Sequence, residues 1–377
     1  MNLNNTLSPP AKRFKFFFNI KVDPILLTLI VLLSGIGIII LFSASSGNHA
    51  MVIRQVTRMM AAYLIMMIFA QLPPYKYQLW APVLFGIGVV LLIAVLFVGK
   101  SSKGAQRWLD FKLFRLQPSE LMKIIVPLML AWFFSQKSLP SSLKDLAIAG
   151  ILLLIPGLLI ARQPDLGTAL MVMFSGCAVI FFAGISYRIL GLMLSVTLIS
   201  GPFLWHMLHE YQKLRVLNFL DPERDPLGSG YHIIQSKIAI GSGGLLGKGY
   251  LNGTQSHLHF LPEHATDFIF SVFCEEFGFV GAIGLIILFT CIIYRCLKTA
   301  LSAHDTFARM LTISLTMNFF LSSFVNIGMV TGILPVVGIP LPLISYGGSS
   351  LLVFFASFGM IMSVYADSKT KLMRTTH

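Results

Sequence analysis

The chain has 377 residues, 56% hydrophobic and only 11% charged, with a mean hydropathy of +0.81. That is far too apolar for a soluble domain with polar faces, so the composition predicts an all-α integral membrane protein. The net charge of +13 does not point to nucleic acid, because the bases are dispersed over loops on both membrane faces and form no single stripe.

The N-terminal segment, residues 1–23, is basic and aromatic (AKRFKFFFNIK), and Lys12, Arg13, Lys15 and Lys21 place it in the cytoplasm. The apolar run that follows is longer than the hydrophobic region of a signal peptide, so it reads as an uncleaved first helix. Runs able to cross roughly 30 Å of hydrocarbon lie near 24–42, 52–70, 80–98, 118–135, 145–161, 166–184, 187–208, 267–294, 307–328 and 345–365. An even number of spans returns the tail, 366–377, to the cytoplasm. On this topology about 14 of the 28 bases and about 11 of the 15 acids face outward or lie at the outer edge, against the usual inside bias for bases. The chain reads as one membrane domain over 1–377, with its polar chemistry outside. Cys177, Cys274, Cys291 and Cys296 fall in spans or at a cytoplasmic end, so no loop disulfide is expected.

Between spans three and four, SKGAQRWLD (102–110) is followed by QPSELMK (117–123). Arg107 and Trp108 fall in an outer loop, while Glu120 and Lys123, three apart, share one face at the start of a span. They form either a capping ion pair or the wall of a polar cavity with Arg107 above it. The long insertion 209–266 should fold back over the outer mouth. Its glycines do not make a nucleotide site: a P-loop needs glycine where Ser242 stands and a hydroxyl where Gly249 stands, and ATP is on the other side of the membrane. Most of these glycines read as turns, although backbone N–H groups near Lys237 and Lys248 could cradle a phosphate.

The stretch HLHFLPEHATDF (257–268) ends in a carboxylate, Asp267, at the threshold of an apolar run. His257, His259, Glu263, His264 and Asp267 are zinc-ligand types without a complete zinc spacing. Thr266 or Asp267 could cap the next helix, yet Glu263 before it and Glu275 and Glu276 after it give Asp267 acidic company, and an ionisable group at this depth points to function. In the last outer segment, 326–350, Pro335, Pro340 and Pro342 predict a re-entrant stretch, tolerated where it lines a cavity or is buried in protein. Asn326, Ser345, Tyr346, Ser349 and Ser350 would offer hydrogen bonds on the floor of the cavity that holds Asp267.

Through SKGAQRWLD, QPSELMK, QPDLGTAL, LDPERDPLGSGYHIIQSKIAIGSGGLLGKG, FLPEHATDFIF and NIGMVTGILPVVGIPLPLISYGGSS, in this order, the chain resembles the SEDS family, and its elongation branch more than its division branch. His264 and Ala265 depart from the family pattern and receive no family role. The resemblance implies a bundle of about ten spans in the cytoplasmic (inner) membrane. It also implies a glycosyltransferase that polymerises lipid II into peptidoglycan strands on the outer face for cell elongation and rod shape, releasing undecaprenyl pyrophosphate. A class B penicillin-binding protein transpeptidase and other elongation machinery are the implied partners. By the same resemblance Asp267 is the general base. Arg107, Lys123 and Lys237 would hold pyrophosphate, Trp108 would bound the lipid or sugar path, and Ser345 would join the substrate set. Glu120 or Glu263, with Asp267, could hold a divalent cation (Mg2+ or Mn2+), and no nucleotide is expected. Two other readings stay open at this point: a lipid II flippase, for which a cytoplasmic polar cavity would also be needed, and a non-catalytic scaffold.

Overall fold

The computed structural model describes residues 21–102, 105–110, 115–139, 141–185, 191, 195, 199, 205–206, 210–221, 229–254 and 263–375. The chain forms α1 (Pro24–Ala44), α2 (His49–Gln71), α3 (Pro74–Val98), β1 (Lys100–Ser102), β2 (Ala105–Asp110), β3 (Arg115–Leu116), α4 (Pro118–Ser135), α5 (Leu143–Arg162) and α6 (Leu166–Phe182). It continues with α7 (Glu210–Leu220), α8 (Ser229–Ser242), α9 (Ile269–Ser302), α10 (Thr306–Thr331) and α11 (Ser349–Thr375). Among the described residues eight helices are long and apolar enough to cross a membrane, and α6 is a shorter apolar helix. The expected span 187–208 lies almost wholly outside the described residues.

Polar residues at the helix starts explain several boundaries. Asp23 accepts from the Ile25 and Leu26 amides ahead of Pro24, Asn48 from Met51, Ser142 from Asp145, Asp165 from Thr168 and Asp305 from Ala308; each satisfies an amide that the first turn leaves unpaired. Helices α4, α10 and α11 are mostly buried and form the centre. By contrast α1, α2, α3 and α5 expose Val31, Leu64, Val90 and Leu158, as lipid-facing helices do. Helix α4 packs on α3, α6 and α10, while α2 packs along α11. The strands form a small antiparallel sheet, order β1-β2-β3, resting on α3 and α4.

The insertion is more ordered than its glycines suggest. Ile233, Ser236 and Ala239 recur every three residues along α8 and are buried where α8 lies on α9 and α10. Residues 243–249 then plug a break in α9. Gly278 takes φ +65° and ψ −165° there. The amides of Lys248 and Gly249 donate to the Glu275 and Glu276 carbonyls (3.0 Å each), and Phe279 and Val280 donate back to Gly244 and Leu245 (2.9 and 3.1 Å). The loop thus satisfies the backbone groups that the break frees. A Cβ at Gly278 would strike the backbone of Gly247 and Leu245. This overturns the phosphate-cradle expectation at Lys248: its amide serves Glu275, and its ammonium lies 2.7 Å from the buried Glu275 carboxylate.

At the other end of the bundle, Arg295 grips the fully buried Asp23 through two hydrogen bonds, 2.6 and 2.9 Å, and its guanidinium lies 5.1 Å from the Tyr365 ring centre. One side chain therefore joins α1, α9 and α11.

Candidate active site

Asp267 sits just before α9 and is half-buried. Phe268, not Thr266 or Asp267, occupies the N-cap position of α9, and its side chain makes no capping hydrogen bond. The turn before α9 is instead closed by the amides of Thr266 and Phe268 on the Glu263 carbonyl (3.0 and 3.3 Å) and by the Thr266 hydroxyl on Glu263 Oε2 (2.9 Å). Glu263 is exposed, with φ +54°.

The segment 332–348 is stitched onto this turn, as the re-entrant reading expects. Asn326 Nδ2 of α10 donates to both the Asp267 carbonyl (2.9 Å) and the Ile339 carbonyl (2.7 Å). The Ser345 hydroxyl donates to the Thr266 carbonyl (2.6 Å) and accepts from the Leu341 amide (2.8 Å), while the Tyr346 amide donates to Ala265 (2.9 Å). Gln55 of α2 completes the brace, donating to the Ser345 carbonyl (3.2 Å) and accepting from the Gly347 amide (3.4 Å). Ser345 is thereby engaged in holding backbone, not presented to a ligand. Gly338, at φ +80°, lies beside the carboxylate; a Cβ there would come within 3.5 Å of Asp267 Oδ2.

The first turn of α4 carries the second polar group. Lys123 Nζ lies 2.6 Å from Glu120 Oε1; Lys123 is 2% exposed and Glu120 6%. Glu120 Oε2 is buried without a hydrogen-bond partner among the described residues, an oxygen lacking the partner such groups normally have. Arg107 does not sit over this pair as expected. It donates to the Pro164 carbonyl and lies 3.7 Å from Asp165 Oδ1. Asp165 also accepts from Gln117 (3.0 Å), Ser119 (3.4 Å) and the Thr168 amide (3.4 Å). This carboxylate, a hub between β2, α4 and α6, is absent from the residues expected from sequence.

Between α2, α3, α4 and α11 runs a groove of about 1020 Å3. Ile65, Phe69, Leu84, Leu128 and Met360 line its apolar length, while Arg58, Trp108, Arg115, Gln117 and Glu120 gather toward the N-terminal ends of α2 and α4. Trp108 is therefore at the polar end of the groove. Lys237 does not line the groove. It is exposed on α8, its ammonium against Gly332, the left-handed C-cap of α10, where a cation complements the last helix carbonyls.

Two arginines on α2 were not singled out from the sequence. The Arg58 guanidinium lies 4.9 Å from the centre of the Tyr346 ring, and Arg54, one turn earlier, acts on the Tyr346 hydroxyl. Burial raises the hydroxyl's pKa, but the hydrogen bonds and charges of Arg54 and Arg58 outweigh it and hold the group below the ordinary tyrosine value. A signal was available: arginines four apart, on one face of an otherwise apolar span.

The expected metal set does not assemble. Among the described residues no three His, Cys, Asp or Glu side chains gather closely enough to hold an ion, so Glu120, Glu263 and Asp267 do not share a site. His257 and His259 lie outside the described residues.

A profile of the FtsW/RodA/SpoVE family, described as cell cycle protein, matches residues 23–370. The chain is 49% identical over 355 residues to the peptidoglycan glycosyltransferase MrdB of Escherichia coli K12, covering 94% of this chain and 96% of that one. It is 36% identical over 365 residues to the probable peptidoglycan glycosyltransferase FtsW of Trichlorobacter lovleyi, covering 93% and 94%. Among solved structures, a chain of a peptidoglycan synthase complex, described as coordinating polymerisation and crosslinking, superimposes with a TM-score of 0.80 at 31% identity over 92% of this chain and 98% of that one. The crystal structure of the Thermus thermophilus rod shape determining protein RodA gives 0.70 at 28% identity, covering 92% and 97%.

Proposed function

Because the chain belongs to the FtsW/RodA/SpoVE family of cell cycle proteins, the SEDS family, we infer that it is a peptidoglycan glycosyltransferase of the inner membrane that polymerises lipid II for cell elongation. The higher identity to MrdB than to FtsW relatives, 49% against 36%, supports the elongation role over division. The observation that carries the mechanism is Asp267: a half-buried carboxylate at the head of α9, on a turn that Asn326, Ser345 and Tyr346 brace.

In the reaction a sugar hydroxyl of the acceptor attacks the anomeric carbon of the donor. The new glycosidic C–O bond forms as the bond to the diphosphate oxygen breaks, and the diphosphate leaves with the electron pair. Asp267 takes the hydroxyl proton as general base. The groove suits the polyprenyl tail, because it is apolar along its length and polar at one end. Glu120 lines the groove with Lys123 paired behind, and Glu120 Oε2, without a partner among the described residues, would accept from a substrate hydrogen-bond donor. Arg107 is held by Pro164 and Asp165 and ties strand β2, which carries Trp108, to the start of α6. A Mg2+ or Mn2+ ion, if one takes part, would come to the site with the substrate's diphosphate, with Glu120 or Asp267 as the carboxylates able to meet it.

The bases at the N-terminus and in the tail support cytoplasmic termini and an extracytoplasmic site. Similarity to a chain of a complex that couples polymerisation to crosslinking supports a class B penicillin-binding protein as partner, within the wider elongation machinery. The test is purified protein with a partner whose transpeptidase site is disabled, incubated with labelled lipid II. Glycan polymer is expected, and at least about 100-fold less from Asp267→Asn; lipid II moved across vesicles with no polymer formed would favour the carrier reading instead.

A further inference from the structure

Arg54 and Arg58 remain unexplained by this account. They lie five and nine residues into α2, a candidate span, where a guanidinium is costly unless it serves a ligand or a partner. Among the described residues neither forms an ion pair with a carboxylate. There both are directed at Tyr346: Arg58 lies over its ring, and the charges of Arg54 and Arg58 both act on its hydroxyl. An aromatic ring can orient a guanidinium without neutralising it, so both forks keep their charge and most of their donors. Arg58 lines the polar end of the groove with Arg115. Tyr346 follows Ser345 directly, and its amide is bonded to Ala265, two residues before Asp267. One short segment thus couples the arginines to the turn that presents the general base.

Two guanidinium forks one turn apart, about 5–6 Å between their Cβ atoms, match two adjacent phosphates better than one, since each fork can take a phosphate bidentately. We propose that Arg54 and Arg58, gathered by Tyr346 at the polar end of the groove, hold the diphosphate of the polyprenyl-linked donor, its tail lying along the groove, and stabilise that diphosphate as it leaves. The inference rests on the polymerase reading above. As the anomeric C–O bond breaks, the electron pair moves onto the diphosphate oxygen facing the two arginines, while the acceptor's proton goes to Asp267.

The test uses the full-length protein with its transpeptidase partner in nanodiscs. Binding of undecaprenyl diphosphate and of undecaprenyl phosphate is measured for wild type, Arg54→Gln, Arg58→Gln, Arg58→Lys, Tyr346→Phe and Asp267→Asn, on the folded, monodisperse fraction, and polymerisation of lipid II is followed in parallel. Wild type should prefer the diphosphate. Each glutamine variant should lose that preference by about tenfold or more, and its kcat should fall about 100-fold, as when a stabilising donor to developing charge is removed. Arg58→Lys should restore part of the binding, Tyr346→Phe should weaken the preference less than either glutamine variant, and Asp267→Asn should bind the diphosphate normally while turning over at least about 100-fold more slowly. Equal binding of mono- and diphosphate by wild type, or an Arg58→Gln variant with unchanged preference and kcat, overturns the proposal. Polymer made by Asp267→Asn at a rate near that of wild type would instead overturn the general-base reading, whatever the arginine variants do.

Discussion

Replacing Lys123 by methionine keeps the length of the side chain and removes its charge. Lys123 is 2% exposed and lies 2.6 Å from Glu120, itself 6% exposed, so the substitution leaves a carboxylate buried beside the groove with one oxygen already unpartnered. Breaking one side of such a pair costs about 3–5 kcal/mol, whereas replacing both charges by well-packed neutral groups is often close to neutral. Lys123→Met should therefore lower unfolding free energy by about that amount, and Glu120→Gln combined with Lys123→Met should recover most of it. Denaturant titration in bicelles, read by tryptophan fluorescence, measures both. Polymerisation by the double variant then separates fold from function: a stable but inactive protein places the pair in the cavity wall. A loss below about 1 kcal/mol for Lys123→Met, or a double variant no better than the single, would refute the buried-pair argument.

Arg295→Met should cost about 3 kcal/mol or more by stranding the fully buried Asp23, seen as a lower melting temperature and poorer yield. Asn326→Leu removes the donors that hold the Asp267 and Ile339 carbonyls; about 1–3 kcal/mol of stability should go with them, and kcat should fall more than KM rises as the base loses its placement. Gly278→Ala forces a Cβ into the Gly247 and Leu245 backbone at a positive φ. It should cost at least the roughly 1–3 kcal/mol of a side chain forced into this glycine-only backbone region and raise proteolysis within 243–254, whereas Gly284→Ala, with open space around it, should be silent.

Apolar runs found most helices within a few residues, because length and hydropathy alone decide where a helix can cross hydrocarbon. The misplaced boundary of α9 is instructive. The sequence reading ends that span at 294, since Arg295 and Lys298 look like its cytoplasmic exit, but Asp23 neutralises Arg295 and the helix continues to Ser302. Helix α8 was missed because its short apolar face is defined by packing on α9 and α10 rather than by strong periodicity. The glycines of 241–249 read as turns or a phosphate cradle; their use, plugging a break at Gly278 some thirty residues on, is a tertiary fact. At the site, Asp267 was legible as a carboxylate at the brink of a span. Lys237 and Arg107 were read as anion ligands from charge and loop position alone, and the fold gives them to the α10 C-cap and to Asp165. Arg54 and Arg58 passed unnoticed, although charges inside an apolar run deserve the first question.

The central claim is that Asp267 itself takes the acceptor's proton. It is tested most directly by the pH dependence of kcat/KM for lipid II polymerisation by the purified complex, wild type against Asp267→Asn, at matched substrate and salt. The account predicts that the wild-type rate falls with a one-proton slope toward acid pH, as the base becomes protonated. In the asparagine variant the rate should be lower by about 10²–10⁴-fold, with that limb gone. A residual activity in Asp267→Asn that keeps the same acid limb would show that another group accepts the proton, and would contradict it.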